Sequence, residues 1–185
     1  MKRRQFISLS LFTGLSLPLL NSRMAMANDN PNSLMIDVEN FSVQDVISFL
    51  QALPLEQAVT AGQWNLSQIF NHAAQSIEFS IMGYPQNKPE IFRRSIGPLA
   101  FQAFTLWGKM THGLAEAIPG AAKLQANDDR AALRRLIQAL SDFDQFKGQY
   151  QPHFAYGVLS KQEYALAHVL HLNNHFEEVS LVETA

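Results

Sequence analysis

From Ser42 onward the apolar residues of this chain recur every three or four positions in five runs, separated by proline- and glycine-bearing loops, and no stretch alternates long enough for a useful strand. A period near 3.6 commits such a chain to helices that each bury one stripe. In the first run Ser42 can cap, Asp45 sits where a capping box needs its acceptor, and Phe41 can staple onto Val46. Val43, Val46, Ile47, Leu50 and Leu53 then keep the spacing up to Pro54. The second run, from about Trp64 to Met82, sets Leu66, Phe70, Ala73, Ile77 and Ile81 on one face and stops at "GYPQNKP". A third follows Pro98 in "LAFQAFTLWGKMTHG" and is broken by "AEAIPGAAK". The fourth, "DDRAALRRLIQALSDFDQF", opens on acids and spaces Leu133, Leu136, Ile137, Leu140 and Phe143 helically. Ser160 with Glu163 is a further capping-box pattern and opens the last. The reading is all-α: a four-helix bundle with an additional short helix, forming a single domain over 28–185.

The first 27 residues stand outside that domain. "MKRRQFISLSLFTGLSLPLLNSRMAMA" has a cationic start, an apolar stretch from about Phe6 to Leu20 and a small-residue exit at Ala25-Met26-Ala27, the layout of a secretory signal peptide. Gly14 and Pro18 interrupt the apolar stretch, which is too short for a membrane span. Arg3-Arg4 followed by Phe6 and Ile7 resembles the twin-arginine signal of folded bacterial exports, with a general secretory signal as the alternative. Either route delivers the mature chain to the periplasm or another part of the cell envelope.

Composition narrows the chemistry. Of 185 residues 47% are apolar and 16% charged, the formal net charge is −2, and no polybasic tract occurs, which argues against a nucleic-acid partner. With no cysteine, disulfides, thiolate metal sites and cysteine nucleophiles are all excluded, so any metal must be held by imidazole and oxygen.

Three of the six histidines fall within "AHVLHLNNHFEEV". At 3.6 residues per turn His168, His171, His175 and Glu178 share one stripe beside Leu172, Phe176 and Val179, with Asn173, Asn174, Glu177 and Ser180 opposite. Two roles compete for that stripe. Buried histidines bonded to neighbouring helices would fit it, and so would chelation of a divalent ion by His171 and His175, one turn apart. No glutamate sits between the pair as in the zinc peptidases, so no peptidase is implied. On the second helix His72 lies on the flank with Ser76 and Phe79, and periodicity alone leaves it undecided.

The stretch Trp64 to Pro85, the later "HFAYGVLSKQEY" and "HLNNHFEEV" occur in an order that resembles the DinB-like superfamily, most closely domain-of-unknown-function family 1569. That family has a tryptophan-led helix with one histidine, an aromatic-glycine turn and a final helix with two histidines four apart. The resemblance spans nearly all of the mature chain. It implies a four-helix bundle with a metal triad at one end, falling here on His72, His171 and His175. Many relatives carry a further histidine where this chain has Asn174, and their His-Pro before the aromatic turn is here Pro152-His153.

Three neutral imidazoles with open positions suit a divalent metal, zinc or nickel ahead of iron(II). Glu178, one turn beyond His175, is the catalytic candidate, the carboxylate best placed to ligate or to orient a water, with a solvated helix-end acid as the alternative. The activity expected is metal-dependent hydrolysis or group transfer on a small molecule. The contrary expectation is a non-catalytic envelope protein that binds metal or ligand in its bundle. A homodimer stays open. Trp64, Trp107 and the phenylalanines read as packing residues, His112 as a helix-end residue, and Arg93-Arg94 as a solvated loop pair.

Overall fold

Two 17-residue helices, α2 (Leu66–Met82) and α5 (Asp129–Gln145), pack along each other and set the frame. The computed structural model describes residues 34–124, 126 and 128–182; the expected leader, 1–27, lies outside them. The element order is α1 (Val43–Gln51), β1 (Ala58–Thr60), α2, α3 (Glu90–Arg94), α4 (Ile96–Trp107), α5, α6 (Lys161–Phe176) and β2 (Val179–Leu181). The chain is all-α apart from β1 and β2, which pair antiparallel with Val59 opposite Ser180. Among the described residues no helix is long and apolar enough to cross a membrane.

Local chemistry sets the helix starts. The capping boxes read at Ser42/Asp45 and Ser160/Glu163 both form, and a third, Asn65 with Gln68, opens α2. Helix α4 starts at Ile96, so Pro98 lies in its first turn, where a missing N–H costs nothing, and Gly108 in the left-handed region ends it. Two features were not expected. Helix α3 occupies the loop given to Arg93-Arg94, where Arg94 pairs with Glu90 on an exposed face, and the three-residue strands are too short for alternation to betray them.

The core is one cluster. Leu50, Ile69, Phe70, Leu136, Phe143, Tyr164 and Phe176 lie at its centre, all but sealed from solvent. Helices α2 and α5 are also joined by Arg135, whose guanidinium donates to both carboxylate oxygens of Glu78 at 2.9 and 2.6 Å and to Asn71 Oδ1 at 2.9 Å. Such a planar fork fixes register as well as adding attraction, and it anchors the residue next to His72. Trp107, expected in the packing, is 74% exposed at the end of α4, because the buried stripe of that short helix is limited to Gly97 and Phe101.

Helix α6 departs most from the sequence reading. Every residue from Ala167 to Phe176 is buried, including Asn173 and Asn174 on the side opposite the histidines. The N-terminal segment covers that side. Ile36 donates its N–H to Asn173 Oδ1 at 2.9 Å and accepts from Asn173 Nδ2 at 2.8 Å, so one side-chain amide replaces a pairing strand.

Candidate metal centre

His72 on the first half of α2 and His171 and His175 near the end of α6 meet where the two helices cross. His72 Nε2 is 3.1 Å and His175 Nε2 3.2 Å from His171 Nε2. All three rings are buried, His175 completely. A fourth imidazole joins them: His112, in the loop after α4, lies with its ring centroid 4.8 Å from His171 and 4.9 Å from His175. One ring nitrogen of each of the four lies within 4.8 Å of the others.

His112 was read as a helix-end residue. Helix α4 stops at Trp107, and the following loop folds back so that Asn174 captures it. Asn174 Oδ1 accepts the His112 backbone N–H at 3.1 Å and lies 2.6 Å from His112 Nδ1. An amide oxygen only accepts, so Nδ1 carries the proton and Nε2 keeps its lone pair. This is how an outer carbonyl fixes the tautomer of a metal-binding histidine.

The cluster suits a cation on two grounds. Two nitrogens held about 2.0–2.1 Å from one ion in octahedral to tetrahedral geometry are about 2.8–3.4 Å apart, which brackets the observed separations. Moreover, His171 Nε2 has a single proton or a single lone pair, yet it faces two nitrogens at hydrogen-bond distance. A shared electron-pair acceptor satisfies all three at once. The Nδ1 atoms of His72 and His175 are buried without a hydrogen-bond partner, so these rings are oriented by packing. Trp64, expected only to pack, stacks on His175 with ring planes 14° apart and tilts across His72 at 4.8 Å.

Burial also sets the charge state. Desolvation, with repulsion from the neighbouring imidazoles, lowers His72 to a pKa of about 3 and His175 to about 2, and holds His171 well below the usual histidine range. His112 is lowered less, because the bond to Asn174 and the charge of Glu116 oppose its desolvation. At neutral pH the rings are therefore uncharged and available as ligands.

A cavity of about 310 Å³ opens beside the cluster, at the small end of ligand-pocket sizes. His72, His112 and His171 line one side of it, and His153 and His168 line it as well. Two close backbone approaches shape its wall. A Cβ on Gly97 would sit 2.0 Å from the Ala155 carbonyl oxygen, and Gly157, at φ +80°, closes the aromatic turn through a bridge to His153.

Glu178 is placed elsewhere. Helix α6 ends at Phe176, and one further turn, closed by the Glu178 N–H on the His175 carbonyl at 3.1 Å, leads into β2. The Glu178 backbone carbonyl instead accepts from Ala61 N–H at 2.8 Å, and its carboxylate lies where a Cβ on Gly62 would be. It is not part of the four-histidine group. The carboxylate that lines the cavity is Glu116.

No curated protein and no solved structure matches the chain. Residues 32–181 match the sequence model of the family described as protein of unknown function (DUF1569), and the chain belongs to that family.

Proposed function

We propose that this protein holds a divalent metal ion through His72, His171 and His175, with His112 as a fourth donor, and uses it in hydrolysis or group transfer on a small molecule. One observation carries the reading: three buried Nε2 atoms converge at 3.1 and 3.2 Å beside a cavity, in a geometry that hydrogen bonding alone cannot satisfy. A bound ion supplies Lewis acidity at the cavity wall. The chain supplies the rest. Asn174 keeps the His112 proton on Nδ1, the aromatic turn lines the cavity, and Glu116, folded over Gly113 beside His112, is the acid we assign to proton transfer in place of Glu178. The helical core with imidazoles gathered at one side also supports placing the fold in the DinB-like superfamily.

Metal analysis of protein purified without a histidine tag tests the site. The wild type should retain one equivalent, and the double variant His171→Ala/His175→Ala should retain none; stoichiometric metal in the double variant overturns the assignment. Chelation should also lower the melting temperature, since metal at one hundred times its dissociation constant stabilises by about 2.7 kcal/mol.

The fourth imidazole favours a second reading, a non-catalytic metal-binding bundle. Four nitrogens fill the tetrahedral shell of zinc, whereas nickel or iron(II) keeps positions open. X-ray absorption of the loaded protein separates the two through the outer-shell scattering that counts imidazoles: four imidazoles in a four-coordinate shell supports storage, and a further, non-imidazole neighbour supports an enzyme.

We further propose export to the periplasm through the twin-arginine route, a reading that rests on Arg3-Arg4 and the apolar stretch after it. Changing both arginines to lysine should strand the precursor in the cytoplasm. Unchanged export would point to the general secretory route.

A further inference from the structure

The cavity has a second group of imidazoles that the metal reading leaves without work. His153 sits in the aromatic turn, stacked on Tyr156 with ring centroids 4.2 Å apart and planes within 3°, with the edge of Tyr84 at 5.0 Å. The backbone N–H groups of Ala155 and Tyr156 both donate to its Nδ1, at 3.2 and 3.1 Å. That nitrogen therefore carries the lone pair, and the proton is on Nε2. His168, one turn before His171 on α6, is 6% exposed, stacked on Tyr164 and edge-on to Phe143. Its Nε2 is buried without a hydrogen-bond partner. A buried polar atom without a partner costs about 1–3 kcal/mol, and the ring that carries this one lines the cavity.

The surroundings decide what kind of ligand. The only charged side chains lining the cavity, Lys88 and Glu116, are both exposed, and the Lys88 ammonium is engaged 5.5 Å above the ring of Phe92. The rest of the lining is mostly apolar, including Phe104, Met110 and Ile118, with Phe104 edge-on to Tyr156 and Met110 Sδ accepting from the Tyr156 hydroxyl at 3.9 Å. An anionic head placed against His153 and His168 would be buried with no cation, at a cost of several kcal/mol. Both imidazoles are themselves held neutral by burial, each lowered to about 3. An amide is uncharged and offers a carbonyl oxygen to His153 Nε2–H together with either a carbonyl or an N–H for His168, whichever tautomer that ring adopts.

We propose that His153 and His168 form the recognition end of the cavity and select an uncharged small molecule with an apolar body and an amide group, turned so that its other end meets the four-histidine cluster. The inference deepens the proposed function and rests on it for the reactive end of the ligand.

Benzamide and benzoate, alike in shape and different in charge, are the probes. Each is titrated into full-length protein with nitrogen-15-labelled histidine, once stripped of metal and once loaded. Benzamide should move the His153 and His168 Nε2 resonances saturably in both forms, with benzoate at least tenfold weaker. His168→Leu should weaken benzamide at least tenfold while metal content stays the same. Benzoate binding as tightly as benzamide, or benzamide leaving both resonances unmoved, overturns the proposal, and the wild-type titration decides this even where His168→Leu fails to fold. The two readings fail separately: resonances that move in a protein unable to take up metal retain the subsite and sink the metal centre, and the reverse result does the opposite.

Discussion

Helices α5 and α6 are nearly equal in length, and the core uses them in opposite ways. Along α5 the buried residues, Ala132, Leu133, Leu136, Ala139, Leu140 and Phe143, form one apolar stripe, and its charged residues lie outside that stripe, Arg135 reaching across to Glu78 and Asn71 of α2. Helix α6 is buried on every side over its last ten residues, and five of those are His168, His171, Asn173, Asn174 and His175. The apolar stripe of α5 stabilises by area removed from water. The polar residues of α6 gain little in that way and must be matched one by one. Asn173 and Asn174 are matched by Ile36 and His112, while His168 and His175 each keep an unpartnered nitrogen. Apolar burial on one face thus marks scaffold, and polar burial without partners marks the place where something else binds.

Acid should separate the two helices most sharply. His72, His153, His168 and His175 have folded-state pKa values of about 3 or below, and His171 is lowered too, against about 6.5 in the unfolded chain. Below 6.5 the unfolded state binds more protons than the folded one. Stability of the metal-free protein is therefore fully present above that pH and falls as pH drops toward 3, by about 1.4 kcal/mol per unit for each such histidine. Urea midpoints measured from pH 7 to pH 4 should show this slope, His168→Leu should flatten it, and a substitution in α5 should leave it unchanged.

Truncation in the scaffold comes next in size. Leu136→Ala, at a fully buried position of α5, should cost about 3 kcal/mol and spare metal content, because it removes core packing and no imidazole. His175→Leu should do the reverse. It replaces an unpartnered buried ring with an apolar side chain, so the metal-free protein should lose little or gain, while metal uptake fails. Equal stability losses from the two variants would erase the distinction between the helices.

The smallest effect tests the matching itself. Asn174→Ala removes the acceptor that holds the His112 proton on Nδ1, and metal affinity should fall about 10–100-fold with stoichiometry intact. Competition with a chelator of known affinity measures it. No change would leave His112 outside the coordination set.

The same contrast explains what could be read beforehand. Helix α5 follows its apolar period, and the boxes at Ser42 and Ser160 are local chemistry, so both were legible. Helix α6 was legible as a helix carrying a histidine pair, but the burial of Asn173 and Asn174 depends on a segment 137 residues away, which periodicity cannot register. His72 came from a motif resemblance, since its helical wheel placed it on a flank. His112 lay beyond a helix-ending glycine in a stretch with no period at all. Glu178 lies just beyond α6, where the backbone turns into β2 to pair with β1, and periodicity along α6 does not register that pairing.

The span between His72 and His171, 99 residues, bears on how the protein is made. Contacts between such distant positions form late, because the chain entropy of closing the loop is spent before the contact returns anything. Two of the four imidazoles, and the Asn173 amide that holds Ile36, arrive only with the last helix. A nascent or truncated chain ending before residue 171 has neither the imidazole cluster nor its N-terminal fastening. Completion of the imidazole cluster and fastening of the segment around Ile36 therefore both wait for α6.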